Sequence, residues 1–229
     1  MGSEMTYANS AIQAGIVAHE GGRDDDGARE AHHRIANNLA MIAGFVRLQA
    51  TDVARRAQTM SPAQARSMLE ETSARIETVG HLHRLLALSP KGGDVDLADY
   101  LAKTCDALRR STTTDGTCEI TDVTDFGCFV PADQAGPIAL ILTELVTNAM
   151  KYAHPAGTAG RINVSCRLTP MGHLMLEVAD NGVGLPEGFN PKTDGGLGMR
   201  VVRSLAQQLG AKLEFVSTSL GLTVRVIVA

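Results

Sequence analysis

The hydrophobic period of this chain changes once, and the change divides it in two. From about residue 30 the apolar positions follow a helix. Ile35, Leu39, Ile42, Val46 and Gln49 recur at alternating spacings of four and three, and all but Gln49 are apolar. They make one stripe on a helix that runs to about residue 58. A second helix begins at "SPAQ". Ser61 is a good N-cap, Pro62 suits the first helical position, and Gln64 completes a capping box. Its stripe is Leu69, Thr72, Ile76, Val79, His83 and Leu86, again heptad-like. The short link between the helices predicts an antiparallel hairpin. Two helices alone bury too little apolar surface to be stable. The hairpin is therefore expected to dimerise into a four-helix bundle; the alternative is that it lies on the second domain of its own chain.

"SPKGGDVD", residues 89–96, has the composition of a linker. Beyond it the period shortens. Residues 97–110 predict a helix, 118–123 a strand and 134–152 a strongly apolar helix. "RINVSCRLT" and "HLMLEVAD" alternate with period two, as half-buried strands do. A helix over 198–209 and a closing hairpin of "KLEFVS" and "LTVRVIV" complete the chain. The expectation is an α+β protein in four parts. Residues 1–29, with the acidic turn "GGRDDDG", form a tail or short helix. Residues 30–89 form the helical hairpin, 90–95 the linker, and 96–229 a mixed sheet with helices on one face.

Composition removes several functions. The net charge of −4 gives no general affinity for nucleic acid or anionic membrane, and 3% aromatic residues with no Trp leave few platforms for stacking bases. Cys105, Cys118, Cys128 and Cys166 form no C-x-x-C pair and fit buried, reduced thiols. "MGSEMTYANS" has no basic segment followed by an apolar core, and no apolar run approaches ~18 residues. A cytoplasmic protein without membrane insertion is expected. Its input would come from a separate sensor protein or from a part outside these residues.

Three stretches of the second domain carry candidate chemistry. In "ELVTNAMKYA" a step of about 100° per residue puts Glu144, Asn148 and Lys151 within an arc of about 60°. Ile138, Leu142, Leu145 and Ala149 form a separate core stripe on the same helix. A carboxylate, a carboxamide and an ammonium on one strip suit hydrated Mg²⁺ and phosphate oxygens; a solvated helix face is the other reading. In "EVADNGVGLP", Asp180 continues the inward series Leu174, Leu176, Val178. A carboxylate there needs a donor. Adenine's exocyclic amine is one; the amides of the following turn are another. "NGVG" makes that turn tight and lets a flat ring approach the backbone. In "DGGLGMRVV", glycines directly precede a helix whose first amides and dipole suit a phosphate chain.

Taken in order, an acidic-Asn helix, a strand ending in D-x-G-x-G and a G-L-G before a helix resemble the N, G1 and G2 boxes of one ATPase family. It is shared by gyrase, the Hsp90 chaperones, histidine kinases and MutL (the GHKL type). The resemblance covers nearly all of residues 96–229 and implies an α/β sandwich that binds Mg-ATP. It implies that Asn148 contacts Mg²⁺, with Glu144 reaching the ion through a water, and that Asp180 reads adenine. Gly182 and Gly184 would shape the adenine pocket. Gly196, Leu197 and Gly198 would hold the phosphates, and Lys151 would assist. The segment from Gly184 to Gly196 would be a short nucleotide lid.

The hairpin selects the branch. "EAHHRIANNLAMIAGFVRLQA" resembles the phosphoacceptor helix of the histidine-kinase subgroup marked by H-R-x-x-N-N-L, a relative of the HWE group whose W-x-E feature is missing here. "HLHRLLALS" and "VDLADYL" resemble the same subgroup. The resemblance implies that His33 accepts the γ-phosphoryl group of ATP and passes it to an aspartate of a response regulator. Glu30, at i−3, is expected to hydrogen-bond His33 and set its tautomer. Arg34 would neutralise charge on the moving group, and Asn37 would position a water for dephosphorylation of the partner. Ala36 stands where relatives usually carry lysine. Two alternatives stay open: a histidine phosphotransferase or scaffold that does not use ATP, and an anti-sigma-type serine kinase. The expected cofactors are ATP and Mg²⁺, and the expected partners are a receiver domain and a second copy of the chain.

Overall fold

A computed structural model of the chain describes residues 60–87, 94–112, 118–125, 127–154 and 160–229, with positions 36, 39–40, 42–44, 46–51 and 53–54 upstream. Glu30, His33, Arg34 and Asn37 lie outside the described residues, as does the proposed tail 1–29.

The upstream positions are helical. Helix α1, Pro62–Ala87, follows. Its start is the reciprocal box expected from "SPAQ". The Ser61 amide donates to Gln64 Oε1 at 2.8 Å, and the Gln64 amide donates to Ser61 Oγ at 3.2 Å. The two helical segments meet at Gln49, which is 6% exposed. Its Nε2 donates to the Met68 carbonyl at 2.9 Å, and that carbonyl also accepts from Thr72 Oγ1. The polar break in the first stripe is thus a cross-helix hydrogen bond.

The alternative placement of the hairpin is also realised in part. Ile42 and Leu48 pack against the core of the second domain. Yet Leu39, Val46, Val53 and Leu69 remain exposed, Leu39 at 60% and Leu69 at 66%. One part of the hairpin's apolar surface is covered by its own chain and another is left bare.

The second domain opens with β1, Val95–Asp96, which pairs antiparallel with β3, Phe129–Val130. These two-residue strands have no readable period, and the sequence did not predict them. Asp96 then caps helix α2, Leu97–Thr112, through its Oδ1 on the Ala98 amide at 2.9 Å. The main sheet comprises β2 (Cys118–Thr124), β4 (Gly160–Leu168), β5 (Leu174–Asp180), β6 (Lys212–Thr218) and β7 (Gly221–Val228). Its order is β2-β4-β5-β7-β6, with only the β2–β4 pair parallel. Register puts Val164, Val178 and Val224 in one row and Cys166, Leu176 and Val226 in the next, all buried. The next row of the alternation, Ser165, Glu177 and Arg225, belongs to the opposite face, where Arg225 Nε pairs with Glu177 at 2.6 Å.

Helix α3, Ala132–Tyr152, lies over the apolar face and buries every residue from 135 to 142. Helix α4, Leu197–Gln208, packs beside it. Both begin within two residues of the predicted starts. Cys105, Cys128 and Cys166 are buried, Cys118 is half-buried, and all four are reduced. Burial, with Asp122 adding to it, pushes the Cys105 thiol up to about 12. Among the described residues no helix is long and apolar enough to cross a membrane.

Candidate nucleotide site

A cleft of about 590 Å³ opens between the C-terminal half of α3, the end of β5, the following loop and the start of α4. Asn148, Lys151, Asp180, Gly184, Gly196, Leu197 and Gly198 all line it. Residues separated by up to 50 positions in sequence are therefore brought to one cavity. Two predicted residues do not reach its wall, Glu144 and Gly182.

Glu144 is 3% exposed, so the strip it shares with Asn148 and Lys151 is not a uniformly solvated face. The strip runs from buried Glu144 through half-buried Asn148 to exposed Lys151 at the cleft mouth. Asn148 Nδ2 is buried without a hydrogen-bond partner. A buried, unmatched amide costs free energy. At a cleft wall it marks where a polar ligand belongs. The two ends of a carboxamide can exchange by a flip, so the same position can offer either a donor or an oxygen ligand.

Asp180 is held by its own turn. Its Oδ1 accepts from the Gly182 amide at 2.9 Å and the Leu222 amide at 3.2 Å. No described hydrogen bond engages Oδ2. The turn reading holds for one oxygen of Asp180, and the residue also lines the cleft.

The glycines divide by what they serve. At Gly182 a Cβ would collide with the backbone of Ala153 at the end of α3, whose carbonyl accepts from the Val183 amide at 3.0 Å. Gly182 thus seats the turn on α3 behind the cleft. Gly184 has φ of 71° and faces the Thr218 carbonyl too closely for any side chain. Gly196 is different: a Cβ there would meet nothing within 4 Å, and its φ of −74° suits any residue. The protein itself does not require glycine at 196, and the open space lies at the mouth of α4. That helix starts without a side-chain cap and without an acidic residue in its first turn, so its leading amides are available to an anion.

Sequence reasoning missed two residues that support the site without lining the cleft. At Gly221 a Cβ would collide with the Asp180 backbone carbonyl, so this glycine lets the start of β7 press on the end of β5 that carries the site carboxylate. In "SLGLT" it stands at the turn of the closing hairpin, and no motif marks it. Arg203 was missed because it lies beyond the glycine motif. It reaches back over the loop between β5 and α4. Arg200, one turn earlier, donates to the Leu48 carbonyl at 3.1 Å and ties α4 to the hairpin. Among the described residues no group of three or more His, Cys, Asp or Glu gathers as metal ligands.

A mixed sheet covered by helices on one face, with an unmatched asparagine, a turn-locked aspartate and an open glycine helix start around one cleft, defines an ATP-binding sandwich behind a helical hairpin. Comparison with known proteins agrees for both halves. Residues 30–112 match the family described as "Histidine kinase", and residues 132–229 match that described as "Histidine kinase-, DNA gyrase B-, and HSP90-like ATPase". The chain is 32% identical over 178 residues to the sensor histidine kinase PdtaS of Mycobacterium tuberculosis, covering 77% of this chain and 34% of that protein. It is 28% identical over 206 residues to blue-light-activated histidine kinase 2 of Erythrobacter litoralis, covering 86% of this chain and 55% of that protein. The solved histidine kinase domain of the Erythrobacter litoralis EL346 blue-light-activated kinase superposes with a TM-score of 0.65 at 28% identity, covering 87% of this chain and 91% of that one. The chain belongs to the histidine kinase family and comprises its catalytic core, with an ATP-binding domain. It spans about a third to a half of the length of these curated relatives.

Proposed function

We propose that the chain is an ATP-dependent protein histidine kinase that phosphorylates its own His33 and transfers the phosphoryl group to an aspartate of a response regulator. One observation carries the ATP-dependent part: the buried, unmatched amide of Asn148 in a cleft with Asp180 and the open start of α4. An ATP-independent phosphotransferase would have no need to keep this arrangement.

In this reading Asp180 accepts from the exocyclic amine of adenine through the oxygen its turn leaves over. The first amides of α4, from Leu197 and Gly198, receive the phosphates, and Lys151 adds a point charge at the mouth. Asn148 offers its oxygen to Mg²⁺, with Glu144 behind it acting through water. When bound, Mg²⁺ screens the phosphate charge and orients the terminal group. A ring nitrogen of neutral His33 attacks the γ-phosphorus. The N–P bond forms as the bond to the bridging oxygen breaks, and ADP leaves. Glu30 holds the proton on the other ring nitrogen, Arg34 offsets charge on the moving group, and Asn37 positions a water for dephosphorylation of the partner.

The bare apolar positions Leu39, Val46, Val53 and Leu69 support a homodimer through the hairpin. A cytoplasmic setting and a separate sensor protein belong to the same reading.

The test uses γ-labelled ATP with Mg²⁺. The expected product is label that is lost in acid and retained in alkali, and absent from His33→Ala. Label that persists in His33→Ala, or that is stable to acid, overturns the assignment.

A further inference from the structure

The loop from Leu185 to Asp194 runs between two glycines with positive φ, Gly184 at 71° and Gly195 at 102°. Its inner side chains, Leu185, Pro186, Phe189 and Pro191, line the cleft. It contains no helix or strand. A ten-residue loop hinged at both ends by glycine has little of its own to define its position.

Part of its shape is local. The Asp194 carboxylate accepts from the Asn190 amide at 2.9 Å, and the Asn190 side chain accepts from the Lys192 amide at 3.0 Å. The Thr193 and Asp194 amides both return to the Asn190 carbonyl. These bonds close a small turn over 190–194, but all lie within the loop. They do not fix the turn to the domain.

Arg203 does. Its Nη1 donates to the Pro191 carbonyl at 2.9 Å and the Asp194 carbonyl at 2.6 Å, and its Nη2 approaches the Thr193 carbonyl at 3.4 Å. Three carbonyls of one turn thus converge on one guanidinium. A planar fork of donors can do this, whereas a single ammonium cannot span the same spread. The arginine stands on α4, the helix whose first turn faces the cleft. A surface loop can leave its carbonyls to water; gathering three on one side chain is useful where the loop must stay in one place. At its far end the loop also rests on α4: a Cβ on Gly195 would come within 2.8 Å of Met199.

We propose that Arg203 is a positioning residue that holds the lid formed over the nucleotide cleft before nucleotide arrives. The proposal rests on the ATP reading for the purpose of the lid, but not for the clamp itself. Arg203 touches no reacting atom. Its effect is to remove the ordering of the loop from the cost of binding.

Arg203→Ala and Arg203→Lys in the full chain test it. Without nucleotide, amide exchange over residues 187–195 should rise on the order of tenfold in Arg203→Ala and less in Arg203→Lys, with β5 and β7 unchanged. With ATP, KM should rise on the order of tenfold in Arg203→Ala, while kcat of autophosphorylation stays within about twofold. Unchanged exchange over 187–195 overturns the proposal, as does a fall in kcat at constant KM. If Arg203→Ala loses its cooperative thermal transition, exchange in Arg203→Lys decides. If the unaltered chain binds no ATP, the ATP reading fails, and the exchange measurement still decides the clamp.

Discussion

Helices α1 and α3 are close in length, 26 and 21 residues, and each is paired with a second helix, but they are treated in opposite ways. Helix α3 is covered by its own domain, so that even Glu144 is buried, as are Leu142, Leu145 and Val146. Helix α1 leaves Leu69 exposed, and the segment it pairs with leaves Leu39 and Val46 exposed. A residue missing from the cover of α3 would be an exception; on α1 it is the rule. The sandwich is complete within one chain. Among the described residues the hairpin keeps a set of bare apolar positions. In the function proposed above, one domain holds ATP and the other presents an acceptor on a surface that a second copy covers.

If the sandwich is self-sufficient, its site should fail without the fold failing. Asp180→Asn is the sharpest case. The amide oxygen of asparagine can still accept from Gly182 and Leu222, so the turn survives. The other oxygen becomes an NH₂, which meets the adenine amine donor to donor. ATP affinity should fall about 100-fold, the equivalent of about 2.7 kcal/mol, with Tm unchanged. Isothermal titration beside a thermal melt checks both. Unaltered affinity would remove Asp180 from base recognition.

The glycines split fold from site inside the sandwich itself. Gly182→Ala forces a methyl into the Ala153 backbone, with no flexible side chain to yield. It should cost about 2–3 kcal/mol of stability. Gly196→Ala meets open space and an ordinary φ, so its stability should change by less than about 0.5 kcal/mol. Its ATP affinity should nevertheless drop about tenfold, because the space the methyl takes is the ligand's. Equal loss of stability in the two variants would erase the distinction.

This split also explains what could be read from the sequence. The period-two strands, the apolar helix α3 and the box at Ser61 were legible because each is a local pattern that fixes local structure. Asn148, Asp180 and Gly196 were legible as residue types in order, although only the fold shows them around one cleft. Gly221 and Arg203 were not legible. Gly221 matters through a contact with a carbonyl 41 positions earlier, and Arg203 through carbonyls of a loop that has no period. The β1–β3 ribbon has two residues per strand, too few for alternation to show. Gln49 was visible as a polar residue in an apolar stripe, but its partner, the Met68 carbonyl, is a backbone atom that no sequence displays.

On the hairpin the expectation reverses: surface changes should alter assembly and spare ATP binding. Leu69→Asp puts a charge on a bare apolar position of α1. In a dimer that position is covered, and an unpaired buried charge is strongly unfavourable. The dimer should weaken by at least about tenfold in sedimentation equilibrium, and ATP affinity should stay within about twofold. A dimer of undiminished strength would place its interface away from Leu69.

The smallest effect belongs to the start of α1. Ser61→Ala removes the hydroxyl that the Gln64 amide donates to, and with it the half of the box that satisfies a helix-start amide. Gln64 Oε1 can still accept from the amide at 61, since that bond uses the backbone of residue 61. Only one of the two reciprocal bonds is lost, so the cost should be about 1 kcal/mol, within the usual range for an N-cap serine. Because α1 packs on α3, the loss could spread into the sandwich; the hairpin-versus-sandwich contrast says it does not. Amide exchange should rise in the first turn of α1 and nowhere in β4, β5 or β7. Faster exchange in those strands would show that the two domains unfold as one unit, and that the independence inferred from their unequal cover stops at the surface.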